Sequence, residues 1–267
     1  MINQIFMGKS AMFAFQRKLQ IVANNIANAQ TVGFKKSRPE MESMFPLVME
    51  GVLSESDEST PGTQRRKKYA EYGSGVRITE VSKDFEKGTL EVTNQPLDLA
   101  VDGTYGLFQV RMPDGSIAYT RAGNFHLDSQ GSIVDPNGHP LEPAIQIPKG
   151  TTDIVINEEG NVYVQVNGAT TPQEIGQLAL ATFQNQGGLR EVGQNLYVET
   201  AASGSPSLET PGQNGAGAVR QRSLEFSNVN VIEEMMNMIL TQRSFELIVK
   251  SIQTGEAMLK AASDLGK

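Results

Sequence analysis

Cysteine is absent from the 267-residue chain. That excludes a disulfide, a thiolate nucleophile and a thiolate-held metal, and makes the chain indifferent to the redox state of its compartment. Tryptophan is also absent and aromatics are only 6%, although 39% hydrophobic residues suffice for a core. Positive charge is scarce: the formal net charge is −7, which argues against a broad nucleic-acid footprint. No apolar run is long enough to cross a membrane, since Glu233, Glu234, Arg243 and Glu246 break the C-terminal one. A cleavable secretion signal is not readable either. Residues 1–8 carry no Lys or Arg, and Gln16, Arg17 and Lys18 cut the apolar stretch after Lys9. These features alone predict a soluble chain of cytoplasmic appearance.

Catalytic groups are equally sparse. The two histidines, His126 and His139, fall in no metal-ligand spacing, and His139 lies in a Pro/Gly turn. Gly73-Ser74-Gly75 and Gly215-Ala216-Gly217 lack the third glycine and the strand–helix setting of a dinucleotide loop. A glycosidase-type acid pair cannot be read from sequence in a β region. The basic run Arg65–Lys68 has Glu55, Asp57, Glu58 and Glu71 nearby as solvated partners. The expectation is therefore no active site, no cofactor and no metal.

What the sequence does contain is helical ends and a β-rich middle. Ile5, Met12, Leu19 and Ile26 recur every seven residues, with Phe15, Val22 and Ala29 three further on. The same period returns near the C-terminus in Val231, Met238, Phe245, Ile252 and Leu259, with Met235 and Val249 in a companion row that Gln242 and Glu256 interrupt. A strict seven-residue repeat predicts a coiled-coil seam; two ordinary amphipathic helices covering a central domain are the alternative. Asn230 followed by Glu233 fits a capping box at the second helix.

Between the helices, residues 76–202 predict an antiparallel barrel or sandwich-like domain of short strands. LFQVRM and IAYTR flank Pro-Asp-Gly-Ser, FHLD and SIVD flank Ser-Gln-Gly, and IVI and NVYVQV flank Asn-Glu-Glu-Gly. A Gly-rich turn around Gly187-Gly188 separates LALATF from NLYVET. The predicted class is α+β. Residues 1–32 and 226–267 form a discontinuous helical layer, 33–75 and 203–225 are extended connections, and 76–202 are the β domain.

VANNIANAQTVGFKK, residues 22–36, closes the first helix with three asparagines, poor helix formers, before Gly33-Phe34. This stretch resembles the N-terminal signature of the bacterial flagellar axial proteins, the rod, hook and hook-associated subunits. SNVNVIEEMMNMILTQRSFELIVKSIQTGEAML resembles the signature at their other end. LDLAVDGTYGLFQVRMPDGSIAYTRAGNFHLDSQGSIVDPNGHPL is similar to the β domain shared by rod and hook subunits. The stretch from IGQLALATF to LEFSNVNV looks most like distal rod subunits. Residues 46–75 occupy the place of an extra segment after the first helix, with RRKK where a more neutral stretch is common.

The resemblance implies a structural subunit that self-assembles into the tubular, periplasm-spanning rod of the basal body, a homo-oligomer with no enzymatic role. Proximal rod or hook subunits are the alternative within the family, and a peptidoglycan hydrolase the alternative outside it. The implied partners are further copies, other rod and hook subunits, rod-surrounding ring proteins and the flagellar export apparatus, with no nucleic acid. Export would proceed unfolded, without signal cleavage. The predicted assembly interface comprises Ile5, Met12, Phe15, Leu19, Val22 and Ile26 on the first helix and Val231, Met235, Met238, Phe245, Val249, Ile252 and Leu259 on the second. Asn24, Asn25 and Asn28 would bond neighbouring chains or the lumen-facing backbone. Gly33 would end the helix in the left-handed conformation, and Phe34 would anchor beyond it.

Overall fold

The computed structural model describes residues 2–45, 47–50, 69–167 and 171–265. The segment 46–75 therefore lies largely outside the described residues, including the whole Arg65–Lys68 run.

The chain begins in helix α1, Ile2–Ala27, and ends in helix α2, Val231–Leu265. The start of α2 follows from Asn230, whose Oδ1 accepts the amides of Ile232 at 3.1 Å and Glu233 at 3.4 Å. That satisfies two of the donors every helix leaves open at its start. The end of α1 differs from expectation. Asn28 turns its side chain back onto the Asn24 carbonyl, 2.9 Å away, and the helix stops at Ala27. Competition by that amide for backbone groups ends the helix six residues before Gly33. Gly33 is left-handed, with φ +69°, but serves a separate turn in which its amide donates to the Glu225 carbonyl at 2.8 Å.

The fold class is α+β. The predicted barrel is replaced by several small antiparallel sheets, none of which closes on itself among the described residues. The largest has five strands in the order Leu141–Glu142, Phe108–Arg111, Ile117–Thr120, Leu196–Val198, Arg190–Gly193. Its central hairpin turns at Pro113–Ser116, as the sequence predicts. Gly115 takes φ +83°, and Asp114 accepts the Ser116 amide at 2.9 Å. Thr151–Ile156, Asn161–Val166 and Gln173–Gln177 make a three-stranded sheet.

Two pairings were not visible in the sequence. Leu180–Thr182 bonds Ser207–Glu209, while Leu196–Val198 bonds Ile117–Thr120. The stretch 203–225, expected to be an extended connection, contributes three paired strands. Besides Ser207–Glu209, Ala218–Gln221 pairs with Leu99–Asp102, and Ser223–Glu225 pairs with Leu90–Val92.

The core lies among these sheets. Leu99, Val101, Phe108, Val110, Ile133, Val162, Val164 and Leu180 are fully or almost fully enclosed. A second cluster joins Phe85, Leu107, Tyr119, Phe183 and Tyr197, with the Tyr119 and Phe183 rings edge-to-face at 4.8 Å. By compactness the chain divides into two units. One comprises residues 1–23, 39–81 and 235–267; the other comprises 24–38 and 82–234.

Candidate assembly interface

Each terminal helix has a sheltered side and an open side. On α1, Met12, Phe15 and Leu19 are half-buried and Val22 is buried; Ile5 lies in the first turns. On α2, Met238, Phe245, Val249, Ile252 and Leu259 are half-buried, whereas Val231 and Met235 are exposed. The helices approach closely where Gly8 faces Ile252: a Cβ on Gly8 would lie 2.6 Å from Ile252 Cγ1.

Of the predicted companion row of α2, Val249 is half-buried and Met235 exposed, and a second row is sheltered beside it. Thr241, Ile248 and Gly255, three residues after Met238, Phe245 and Ile252, take the sheltered positions, and Thr241 is 2% exposed. A seven-residue period admits a companion row at +3 or +4, and Thr and Gly hid the former.

The open sides are apolar as well. Phe6 and Phe13 on α1 are 63% and 65% exposed. On α2, Ile232, Met236, Ile239, Leu240, Leu247 and Met258 are exposed, and at 100° per residue they gather on the side away from Phe245 and Ile252. Exposed apolar surface of this extent on helices marks an interaction face.

Where α1 leads into the following strand, polar groups take over. Asn24 is exposed and Asn28 half-buried, but Asn25 is 1% exposed. Its Oδ1 accepts the Ser37 amide at 3.0 Å, and its Nδ2 donates to the Ser37 carbonyl at 2.9 Å and to Glu234 Oε2 at 3.1 Å. Asn25 is thus engaged within the chain. Glu234 also receives Lys36 Nζ at 2.9 Å. Burial pulls the Lys36 ammonium down, but the bond and charge of Glu234 outweigh it, and the net direction is up.

Beside this lies an enclosed ionic triad. Glu225 accepts Arg121 Nε at 2.5 Å, Lys35 Nζ at 2.8 Å and the Gly88 amide at 2.8 Å. Two cations face one carboxylate, and backbone carbonyls make up the deficit. Lys35 donates to the Glu86 carbonyl at 2.6 Å, and the Arg121 guanidinium to those of Val101, Gly103, Thr104 and Gly106. Burial lowers Lys35 below the ordinary lysine range. Burial pushes Glu225 up, but Arg121 and Lys35 outweigh it and hold the carboxyl below its ordinary value. Next to the triad, Phe34 is buried with Lys83 Nζ 4.8 Å above its ring. Sequence reasoning missed Arg121, Glu225 and Glu234. Their partners are far away along the chain, and no local spacing marks them.

His139 Nδ1 sits 2.9 Å from Asp135 Oδ2 inside its own turn. Among the described residues, no group of three or more His, Asp or Glu could hold a metal ion.

Comparison with known proteins matches three stretches to family models. Residues 7–35 match the flagella basal body rod protein model, residues 100–164 the flagellar hook protein FlgE/F/G D1 domain, and residues 220–265 the flagellar basal body rod FlgEFG protein C-terminal model. Similar curated proteins include the flagellar basal-body rod protein FlgG of Buchnera aphidicola subsp. Schizaphis graminum, 42% identical over 99% of this chain and 100% of the relative. The FlgG of Caulobacter vibrioides is 42% identical over 96% of each chain. That of Bacillus subtilis is 36% identical over 99% of each.

Proposed function

This chain belongs to the flagellar basal-body rod protein FlgG family, and we propose from that premise how it builds its part of the rod. It is a structural subunit of the distal rod in the flagellar basal body, not an enzyme, and it assembles with other rod and hook subunits. In our reading, copies stack into a helical tube whose inner wall is the terminal helices, 1–32 with 226–267, in coiled-coil-like register. The β domain, 76–202, makes the exterior of the tube together with the strands of 203–225 that pair with it, and 33–75 is the connecting segment.

The observation that supports this best is the second apolar side of each helix. Phe6, Phe13, Ile232, Met236, Leu240 and Leu247 are exposed in the single chain, opposite the sides already sheltered. A subunit with distinct patches for each neighbour makes heterologous contacts, and where the rotation does not close, these continue as a tube. The predicted seam residues Ile5, Met12, Phe15, Leu19, Val22, Ile26, Val231, Met235, Met238, Phe245, Val249, Ile252 and Leu259 then divide between intrachain and interchain contact. Asn24 and Asn28 serve neighbouring chains or the lumen-facing backbone, while Gly33 and Phe34 hold the separate turn that follows the first helix.

The rod reading extends to a periplasm-spanning position, contact with surrounding ring proteins, and export through the flagellar apparatus without signal cleavage. Residues 46–75 are proposed to lock axial sliding between subunits, so a chain lacking them should build a more bendable tube. The direct test is electron microscopy of purified protein over a concentration series. Tubes are expected, and a monodisperse particle at every concentration overturns the reading.

A further inference from the structure

Three asparagines of the chain, Asn137, Asn167 and Asn214, directly precede a glycine. Glycine leaves its own backbone nitrogen unshielded, so the side chain of an asparagine before it is open to attack by the main chain. Asn167–Gly168 lies partly outside the described residues. The other two pairs are both exposed and differ in the state of the glycine amide. Gly138 donates its amide to the Asp135 carbonyl at 3.0 Å, and Asp135 Oδ1 also accepts the Asn137 amide at 2.9 Å. The Gly215 amide has no acceptor among the described residues. Asn214 itself stands at φ +47°, in the left-handed region that asparagine tolerates, and its Nδ2 donates to Glu209 Oε2 at 2.6 Å.

The turn that carries Asn214 reaches the enclosed triad through one intervening loop. Two residues beyond it, Ala216 is fully buried. A Cβ on Gly106 would collide with the Ala216 carbonyl oxygen, and one on Gly103 would lie 2.5 Å from Gly217 Cα. The carbonyls of Gly103 and Gly106 are among those that receive the Arg121 guanidinium.

We propose that Asn214–Gly215 is a site of spontaneous succinimide formation in the folded chain, which converts Asn214 to aspartate and isoaspartate. Solvent base removes the proton of the Gly215 backbone nitrogen, and that nitrogen bonds Asn214 Cγ. The Cγ–Nδ2 bond breaks, and Nδ2 leaves as ammonia with a proton taken from water. Water then opens the ring at either carbonyl. One opening restores the main chain with a carboxylate at 214; the other leaves the main chain running through Cγ, a methylene longer. Both products put a carboxylate where Glu209 now accepts a donor, so two like charges meet at hydrogen-bond distance. The longer product must also fit extra backbone beside buried Ala216, and the strain falls on the loop that wraps Arg121. The conversion needs only the single chain, so it proceeds whether or not copies assemble.

The test is incubation of the purified full chain at mildly alkaline pH, with peptide mapping by mass and an assay for isoaspartate. Asn214 should convert about tenfold or more faster than Asn137, whose turn must first give up the bonds that hold it. In urea, where those bonds are gone, the two rates should converge. Asp135→Ala loosens the Asn137 turn alone, so it should speed conversion at Asn137 and leave Asn214 unchanged. In the aged chain, hydrogen exchange at residues 101–106 should be faster than in the fresh one. The variant Asn214→Asp supplies the charge without the longer backbone and should reproduce only part of that change. Equal rates at the two sites in the folded chain, or aspartate at 214 without isoaspartate, overturns the proposed site. Unchanged exchange at 101–106 in fully converted protein overturns its coupling to the Arg121 loop.

Discussion

Asn25 Nδ2 lies 3.1 Å from Glu234 Oε2, although 209 positions separate the two residues in the chain. The same asparagine bonds both backbone groups of Ser37, so one amide ties the end of the first helix to the next strand and to the start of the last helix.

Asn25→Leu should therefore act on the fold of the single chain before it acts on assembly. It strands the Ser37 amide and carbonyl and deprives Glu234 of a donor, all in buried surroundings. The expected loss is about 3 kcal/mol, read as a lower urea midpoint of the monomer. An unchanged midpoint would place the role of Asn25 in contacts between copies.

Glu225→Ala leaves Arg121 and Lys35 enclosed without a counter-charge, at an expected cost of about 3–5 kcal/mol in a denaturant titration. The same carboxylate predicts acid sensitivity. Its value is lowered in the folded state, so its contribution is complete above the unfolded value of 4.5 and disappears as pH falls through the lower folded value. Lys36 works at the other extreme. Its raised value gives a contribution present below 10.5 and lost as pH climbs through the folded value. Stability measured from pH 6 to pH 3 should fall less steeply below 4.5 in Glu225→Gln than in the unaltered chain.

Gly33→Ala adds a methyl where the backbone of Arg121 and Ala122 passes, at a residue with φ +69°. Gly115→Ala imposes a comparable φ penalty, but no described atom lies within 4 Å of its Cβ position. The Gly33 variant should lose about 2 kcal/mol or more beyond the Gly115 variant in urea unfolding. Equal losses would mean that the strand yields freely.

Hydrogen exchange on the monomer should separate the helices from the sheets. Residues 6–23 and 235–261 should exchange early, because their open apolar sides await neighbours. Residues 99–102, 108–110 and 118–120, in the enclosed core, should exchange last. Strong protection of both terminal helices in the monomer would sink the coupling of their order to assembly.

The parts of the fold governed by local chemistry could be read from the residues alone. Period seven announced α1 and α2, Asn230 announced a cap, and Pro113–Ser116 announced its hairpin, because each depends on neighbours a few positions away. The pairing of Leu180–Thr182 with Ser207–Glu209 was hidden, since strands that short share one pattern and the choice of partner is made by the core. Arg121, Glu225 and Lys35 were hidden for the same reason. A buried charge looks like a surface charge until its distant partner is known. Asn25 was noticed as an oddity, but its use inside the chain depended on Ser37 and Glu234 being brought to it.

Lys35 closes on Glu225, 190 positions further along the chain. A polypeptide emerging amino end first therefore carries its early cations past some two-thirds of its own length before the matching carboxylate appears. Until then Lys35 and Arg121 lack the carboxylate they share, so closure of this triad is timed to the arrival of the tail.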